Sequence, residues 1–439
     1  MTQQIRLFFI LVMCNLSSIA QNYTSYLTGN NTDILTTPNG GICLMGGATE
    51  NDNAMTWFLQ QANGGDVLVL RASGSDGYNS YFYSDLGVNV NSVETIVFNS
   101  ALASTETYIH EKIQQAEAIW IAGGDQWDYV SFWRNTAIED EINSAISDRN
   151  VVIGGTSAGM AILGDYYFSA ENGTVTSSTA LANPYDSNIT IDSEEFISHT
   201  LLDDVITDTH YDNPDRKGRH LVFLSRIITD YMVSPKGIAC DEYTAVCIDS
   251  AGIASVFGDY PNYDDNAYFI QTNCEVQNNI PENCSENTPL NWDLENQAIK
   301  VYKVKGTSLG SNTFNLTTWN SGTGGEWENW YVEDGVLNQI SSTLPECTAL
   351  SVDNYNNEQS VMIYPNPAND LVTIASNNKG SIPDQIEIYN VQGQQEYKFS
   401  NCNSPIFSIA TSSFANGLYF IVLKSKSSEK QIIKLIVAH

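Results

Sequence analysis

A serine in a glycine-rich turn is the first candidate for chemistry. Residues 154–159 read GGTSAG, so Ser157 lies in a Gly-x-Ser-x-Gly pattern between the apolar runs 151–153 and 160–163. This context is typical of a nucleophile elbow, in which a sharp turn between a strand and a helix lifts the hydroxyl above the sheet. The alternative, a phosphate cradle, is disfavoured because no Gly-Lys-Ser/Thr occurs there. Ser157 is therefore predicted to be a nucleophile.

A serine nucleophile needs a base, and the base needs a group that orients it. Of the five histidines, His210 is favoured because a strand-like segment, residues 201–206, precedes it. Glu242 is the predicted acid because it follows the apolar residues 237–240. Asp241 is the alternative, because spacing alone does not tell which of two adjacent side chains faces the site. The order Ser, His, acid differs from the Ser, acid, His order of α/β-hydrolases and counts against a lipase or esterase.

The elements that must position these residues alternate between strand and helix. The apolar runs that predict buried strands are residues 42–45, 67–70, 96–98, 118–121 and 151–153. Helical patterns lie between them, including residues 51–62 and a stripe through Ile138 and Ile142. Such alternation predicts a three-layer α/β domain with a mostly parallel sheet. In such sheets the site lies beyond the carboxyl ends of the strands, where the glycine-rich turns occur.

Composition and charge restrict the class of protein. The chain has 439 residues and is 42% hydrophobic, which is typical of a packed globular protein with more than one domain. It carries 19 Lys and Arg against 51 Asp and Glu, a formal net charge of −32. This charge repels a phosphate backbone, so we exclude nucleic acid as a partner.

The amino terminus predicts export. Residues 1–20 contain Arg6, then an apolar run, then small residues before Gln21, and predict a signal peptide cleaved after Ala20. The run is too short to span a membrane and no other stretch comes close, so no transmembrane segment is expected after cleavage. Lipidation of Cys14 is the disfavoured alternative. Disulfides can form in an oxidising compartment, and Cys274 and Cys284, which flank a polar loop, are the predicted pair.

The carboxyl-terminal segment predicts a separate β domain. We place the catalytic domain at residues 21–345, a polar linker at 346–360 and the last domain at 361–439. Short strand-like runs separated by turns indicate a small antiparallel β-sandwich there.

Three motifs in this last domain carry a resemblance: residues 364–368 (YPNPA), 388–393 (IYNVQG) and 416–419 (NGLY). In this order they resemble the type A sorting domain of proteins exported by the bacterial type IX secretion system. The resemblance implies the type IX machinery as a partner and a secreted or cell-surface location. A permanent carbohydrate-binding sandwich is the alternative.

Four motifs of the central region carry a second resemblance: residues 123–126 (GGDQ), 155–159 (GTSAG), 208–211 (DTHY) with 216–219 (RKGR), and 237–245 (GIACDEYTA). In order and spacing they resemble cyanophycinase and aspartyl dipeptidase, over residues 40 to 335. The resemblance implies a serine exopeptidase with a Ser157-His210-Glu242 triad and a fold similar to class I glutamine amidotransferases. It implies hydrolysis of aspartyl or β-aspartyl, cyanophycin-like peptides, with no metal and no organic cofactor.

The resemblance also implies supporting roles. Backbone N–H groups of Gly124, Asp125 and Ala158 are expected to form the oxyanion hole. The residues expected to line the substrate site are Gln126, Asp208, Arg216 and Arg219.

The sequence departs from the family at Pro214, where cyanophycinase tends to have the first of three arginines. Proline carries no charge, so recognition of an arginine-decorated aspartate polymer does not follow directly. The two remaining arginines, Arg216 and Arg219, suit bidentate binding of carboxylates, or else surface salt bridges. His220 also stands where the family usually has an apolar residue. Two other functions stay open: a catalytically inactive binding or adhesion protein, and another amidase on the same fold.

Overall fold

The computed structural model describes residues 21–192, 196–346, 361–376, 385–400, 406–424 and 431–439. The predicted signal peptide and all but residue 346 of the predicted linker lie outside these ranges. The chain divides into two compact units, Met1–Thr348 and Ala349–His439. The division falls within the predicted linker, and the predicted domain boundaries themselves stay predictions.

The first unit contains both helices and strands. Its helices are α1 (Asp52–Gln61), α2 (Gly77–Ser80), α3 (Thr107–Gln115), α4 (Gln126–Trp133), α5 (Ala137–Arg149), α6 (Ala158–Ala161), α7 (Ser177–Ala182) and α8 (Lys217–Tyr231). A π-helical turn covers Tyr81–Asp85, and 3₁₀ turns cover Ala101–Thr105 and Thr200–Leu202. Its strands are β1 (Tyr23–Gly29), β2 (Ile42–Met45), β3 (Asp66–Arg71), β4 (Ser92–Phe98), β5 (Ala118–Ile121), β6 (Val152–Thr156), β7 (Tyr167–Phe168), β8 (Ile191–Asp192), β9 (Val205–Asp208), β10 (Lys236–Cys240), β11 (Ala245–Ile248), β12 (Ile253–Tyr260), β13 (Asn266–Thr272), β14 (Ile299–Lys305), β15 (Asn312–Asn315), β16 (Gly322–Thr323), β17 (Gly325–Glu333) and β18 (Val336–Ser341).

The larger sheet has a parallel centre and antiparallel edges. Its order is β1-β4-β3-β5-β6-β2-β11-β12-β15-β16. Strands β4, β3, β5, β6 and β2 are parallel to their neighbours within this group, whereas β1 and β11 pair antiparallel to it. The five apolar runs predicted as buried strands form β2 to β6, so the predicted α/β fold is confirmed.

Both faces of this sheet are covered, which explains why its central strands are apolar throughout. Along β3, Val67 and Val69 pack with α1 in one apolar cluster. Leu68 and Leu70 face the other way, into a cluster with α3, α4 and α5. Alternate residues of one strand therefore contact helices on opposite sides.

A second sheet was not predicted. Its order is β18-β17-β14-β13-β10-β9, and only the pair β9 and β10 is parallel within it. Ile238 and Phe269 on one face join the same apolar cluster as Val246 of the larger sheet. The other face, through Ala239 and Ile270, packs with residues of α8. Strands β9 and β10, which precede His210 and Glu242, thus approach the larger sheet from a neighbouring layer.

The second unit is antiparallel throughout. Its strands are β19 (Val361–Tyr364), β20 (Leu371–Ser376), β21 (Gln385–Asn390), β22 (Gln395–Ser400), β23 (Ile406–Ala410), β24 (Gly417–Lys424) and β25 (Gln431–Val437). They form two sheets, β19-β20-β23 and β22-β21-β24-β25. Ile374 of the first sheet and Ile388 and Ile421 of the second lie in one buried cluster. The predicted antiparallel β-sandwich is confirmed.

The predicted disulfide between Cys274 and Cys284 is wrong. Cys274 is disulfide-bonded, but Cys284 is a free thiol. The Sγ of Cys284 lies 3.5 Å from the Oγ of Ser225 on α8, so its side chain packs onto that helix. Positions on either side of a polar loop do not determine which way two side chains point.

None of the helices in the described ranges is both long and apolar enough to cross a bilayer.

Candidate active site

Ser157 lies in a strained turn between β6 and α6. Its backbone has φ 53° and ψ −115°, a conformation that is rare for a residue with a side chain. A Cβ on Gly155 would come within 2.5 Å of the carbonyl carbon of Gly159, so the turn needs glycine there. The Ser157 N–H donates to Met45 O at 3.1 Å. The predicted strand–turn–helix geometry of a nucleophile elbow is therefore present.

His210 follows β9 and reaches Ser157 from the second sheet. Its Nε2 lies 2.9 Å from the Ser157 Oγ, and its backbone N–H donates to Gly46 O at 2.7 Å. A Cβ on Gly47 would lie 2.4 Å from the same Nε2. The loop that follows β2 therefore supports the imidazole by direct contact.

Glu242, and not Asp241, contacts the histidine. Its Oε1 lies 2.6 Å from His210 Nδ1. Asp241 is 2% exposed, and its Oδ2 instead accepts hydrogen bonds from the backbone N–H and the side-chain amide of Asn266, at 3.1 and 2.9 Å. Burial raises the pKa of Asp241 to about 7. The structure thus brings together the hydroxyl, imidazole and carboxylate that the sequence singled out.

Two residues of the histidine loop were missed by the sequence analysis. The Glu242 N–H donates to Asp212 Oδ1 at 2.9 Å. The Asn213 side-chain amide donates to Glu242 Oε2 at 3.3 Å. Their nearness to His210 along the chain was the only signal, and polar residues in a surface turn carry no specific pattern.

The residues predicted for the oxyanion hole flank the serine. Ala158 is the first residue of α6, directly after Ser157. The turn at Gly123 and Gly124 lies against the serine, because a Cβ on Gly123 would be 3.5 Å from that of Ser157. Asp125 is the N-cap of α4, and its carboxylate accepts the Trp127 N–H at 3.0 Å. The predicted backbone donors thus come from two segments that meet at Ser157.

Arg219 and Asp208 bind each other. The Arg219 Nε donates to Asp208 Oδ2 at 2.9 Å and its Nη2 to Oδ1 at 2.5 Å. The two residues are 3% and 2% exposed. Burial raises the pKa of Asp208, but Arg219, with smaller contributions from His220 and Arg216, lowers it, so this pKa lies below its usual value. The remaining Nη1 of Arg219 donates to Val175 O at 3.3 Å. The guanidinium is therefore held by groups of the protein itself.

Arg216 and Gln126 are less enclosed. The Nη1 of Arg216 donates to Thr209 O at 3.1 Å, and burial together with Arg219 lowers the pKa of Arg216. The Gln126 side-chain amide donates to Phe168 O at 3.4 Å. Both residues are half-buried.

A cavity of about 690 Å³ opens at the residue that follows Glu242 in the chain. Tyr243, which follows Glu242, lines it and donates its N–H to Gly47 O at 3.1 Å. Its other lining residues include four carboxylates, namely Glu50, Asp52, Asp259 and Asp265. This cavity is therefore strongly acidic and borders the loop that supports His210.

His220, on α8, is fully buried behind the site. Its Nδ1 lies 3.2 Å from the hydroxyl of Tyr211 and its Nε2 lies 3.3 Å from Ile206 O. Burial lowers the pKa of His220 to about 4. It is therefore a neutral core residue and does not reach the triad.

Comparisons with known proteins agree with the motifs. Residues 43–256 match the model of Peptidase family S51, and residues 362–438 match that of the secretion system C-terminal sorting domain. Cyanophycinases of Synechococcus elongatus and Thermosynechococcus vestitus are each 22% identical to this chain over 229 residues, which cover 50% of it and 66% of each relative.

Two crystal structures are also similar. A peptidase from an acI-B1 actinobacterium is 13% identical, with a TM-score of 0.38, over 53% of this chain and 91% of that one. A putative peptidase E protein from Listeria monocytogenes is 16% identical, with a TM-score of 0.31, over 48% of this chain and 95% of that one.

Residues 43–256 are therefore similar to Peptidase family S51, and residues 362–438 are similar to a secretion system C-terminal sorting domain. The matched part spans slightly less than two thirds of the cyanophycinases named above.

Proposed function

We propose that the protein is an exported serine exopeptidase that hydrolyses aspartyl or β-aspartyl peptides. The observation that carries this proposal is the continuous contact from the Ser157 hydroxyl through His210 to Glu242, at 2.9 and 2.6 Å. The match to Peptidase family S51 and the similarity to cyanophycinases support the same reaction class.

The mechanism follows from the positions of these groups. His210 Nε2 takes the proton of Ser157 Oγ as the oxygen attacks the amide carbonyl carbon, and Glu242 stabilises the imidazolium that forms. The backbone N–H groups of Ala158 and of the Gly124–Asp125 turn stabilise the tetrahedral oxyanion; losing one such donor typically costs about 10²–10³ in rate. His210 then gives the proton to the leaving amine, and water releases the acyl group through the same steps.

Substrate recognition is divided between a cation and a group of carboxylates. Arg216 is placed to bind a substrate carboxylate, with Gln126 as a further polar contact. The Arg219 guanidinium is buried and paired with Asp208, so it does not bind the substrate directly. The acidic cavity lined by Tyr243 suits a positively charged part of the peptide. A peptide with both an aspartyl carboxylate and a basic residue, as in cyanophycin, fits both features although Pro214 is uncharged.

The match to a secretion sorting domain supports an activity outside the cytoplasm. We propose that the type IX machinery recognises residues 361–439 after residues 1–20 direct the chain out of the cytoplasm. The target is then a peptide or polymer met at the cell surface or in the medium.

The test uses the full exported chain, with Ser157→Ala and the exposed control Ser144→Ala. Cyanophycin, β-aspartyl-arginine, α-aspartyl-arginine, aspartyl-leucine and simple amides are incubated with each, and the products are identified by mass spectrometry. We expect turnover of aspartyl-basic peptides, unchanged in Ser144→Ala and reduced on the order of 10⁶-fold in Ser157→Ala. Turnover of simple amides alone would favour an amidase. Tight peptide binding without turnover would favour a binding protein.

A further inference from the structure

The turn that follows His210 contacts Glu242 at two points. Asp212 accepts the Glu242 N–H at 2.9 Å, and Asn213 donates its side-chain amide to Glu242 Oε2 at 3.3 Å. Because Glu242 Oε1 faces His210 Nδ1, the amide of Asn213 holds the second carboxylate oxygen. Both oxygens of Glu242 are then fixed by residues of one loop.

This turn is itself held in shape. A bridge joins Asp212 and Asp215, and the Arg216 N–H donates to Tyr211 O at 3.1 Å. Pro214 lies between them, and a proline restricts both its own φ and the conformation of the residue before it. That preceding residue is Asn213. The uncharged Pro214 therefore limits the backbone freedom of the residue that contacts Glu242.

We propose that Asn213, restrained by Pro214, is a positioning residue that sets the orientation of Glu242 toward His210. This inference rests on the proposed function, because it assigns a role within the same triad. Without the amide, the carboxylate can rotate about its last bond, and Oε1 then leaves its position at Nδ1 for part of the time. The imidazolium loses stabilisation in the transition state, whereas substrate contacts stay as they were.

The charged and titratable groups around His210 come from three segments. Ser157 contacts its Nε2 and Glu242 its Nδ1. On its own loop, Asp212 contacts the Glu242 backbone and Arg216 lies near the Glu242 carboxylate. The loop after β2 contributes the uncharged Gly47. A new negative charge at position 213 would add to Glu242 and favour the imidazolium.

The experiment compares kcat and KM for Asn213→Ala, Asn213→Gln, Asn213→Asp and Pro214→Gly, with the exposed Asn89→Asp as a control that adds the same charge. Asn213→Ala removes a hydrogen bond to a charged group, so kcat should fall about tenfold, while KM stays within about twofold of the parent. Asn213→Gln, which keeps an amide donor, restores part of the loss. In Asn213→Asp the acidic limb of the kcat/KM profile moves to higher pH. Pro214→Gly lowers kcat in the same direction, and Asn89→Asp changes nothing.

A second readout does not need turnover: the downfield proton resonance of His210 Nδ1–H, which reports the His210–Glu242 hydrogen bond. We expect this resonance to broaden or shift in Asn213→Ala and to stay in place in Asn89→Asp. An unchanged resonance and an unchanged kcat, or a raised KM at constant kcat, would overturn the inference. If the parent protein turns over no peptide, the proposed function fails, but the resonance still decides whether Asn213 positions Glu242.

Discussion

Replacing Gly47 by alanine tests whether the loop after β2 sets the position of the His210 imidazole. Gly47 has φ +113°, and its added Cβ would lie 2.4 Å from His210 Nε2 and 2.5 Å from Cε1. Ordinary van der Waals contacts of a Cβ are 3.4 Å or longer. The ring must therefore move by about 1 Å, and displacement of a reacting group by that much costs about 10²-fold in rate.

The change also strains the backbone, because alanine disfavours positive φ by about 1–2 kcal/mol. Gly87→Ala is the matched control, since Gly87 has φ +69° and nothing lies within 4 Å of its added Cβ. Both variants should lose unfolding free energy, measured in urea, and Gly47→Ala should lose more because its Cβ also displaces the His210 ring. Only Gly47→Ala should lose about 10²-fold in kcat/KM on an aspartyl peptide. If Gly47→Ala stays within about threefold of Gly87→Ala, the support that we assign to this loop is wrong.

The other predictions concern buried charges. The pKa of His220 is lowered to about 4 in the folded protein, so as pH falls this histidine is protonated in the unfolded chain before it is protonated in the folded one. The stability that the neutral, buried imidazole provides is therefore lost as pH falls from about 6.5 toward 4. Urea unfolding should show a loss of about 2 kcal/mol between pH 8 and pH 5 that is smaller in His220→Phe; equal losses in both proteins would refute the assignment. Burial raises the pKa of Glu117, which is 1% exposed, to about 7. The stability that Glu117 contributes is therefore lost as pH rises from about 4.5 to 7. The unfolding free energy of Glu117→Gln should rise relative to that of the parent across this window. Parallel curves of unfolding free energy against pH would contradict this. Arg219→Leu leaves the Asp208 carboxylate buried without its partner and should cost about 3–5 kcal/mol of unfolding free energy at pH 7; a cost below about 1 kcal/mol would show that the pair is not closed in solution.

Much of the site was predictable because short apolar runs and glycines mark where strands end. The run before Ser157 and the glycines around it predicted the turn that the structure contains. His210 followed from the scarcity of histidines and from the segment before it. Here the strand begins only at Val205, after a 3₁₀ turn. The sequence therefore predicted a strand before His210 but not its correct bounds.

The remaining features depend on contacts between distant segments. Asp241 and Glu242 follow the same strand and face opposite sides. Asp241 accepts a hydrogen bond from Asn266, a residue distant along the chain, and therefore points away from His210. Arg219 and Asp208 lie in neighbouring motifs, yet nothing in the sequence shows that they bind each other. The second sheet has antiparallel pairs of strands that are far apart along the chain, which periodicity does not reveal.

The central claim is that Ser157 is activated by His210 and Glu242, and labelling with a fluorophosphonate tests it most directly. The rate of adduct formation is followed by intact mass spectrometry in the parent, Ser157→Ala and His210→Ala, and the modified peptide is sequenced. We predict one adduct, on Ser157, that forms in the parent, is absent in Ser157→Ala and is slowed at least about 10³-fold in His210→Ala. An adduct on another residue, or a Ser157 that reacts equally fast without His210, would contradict the account.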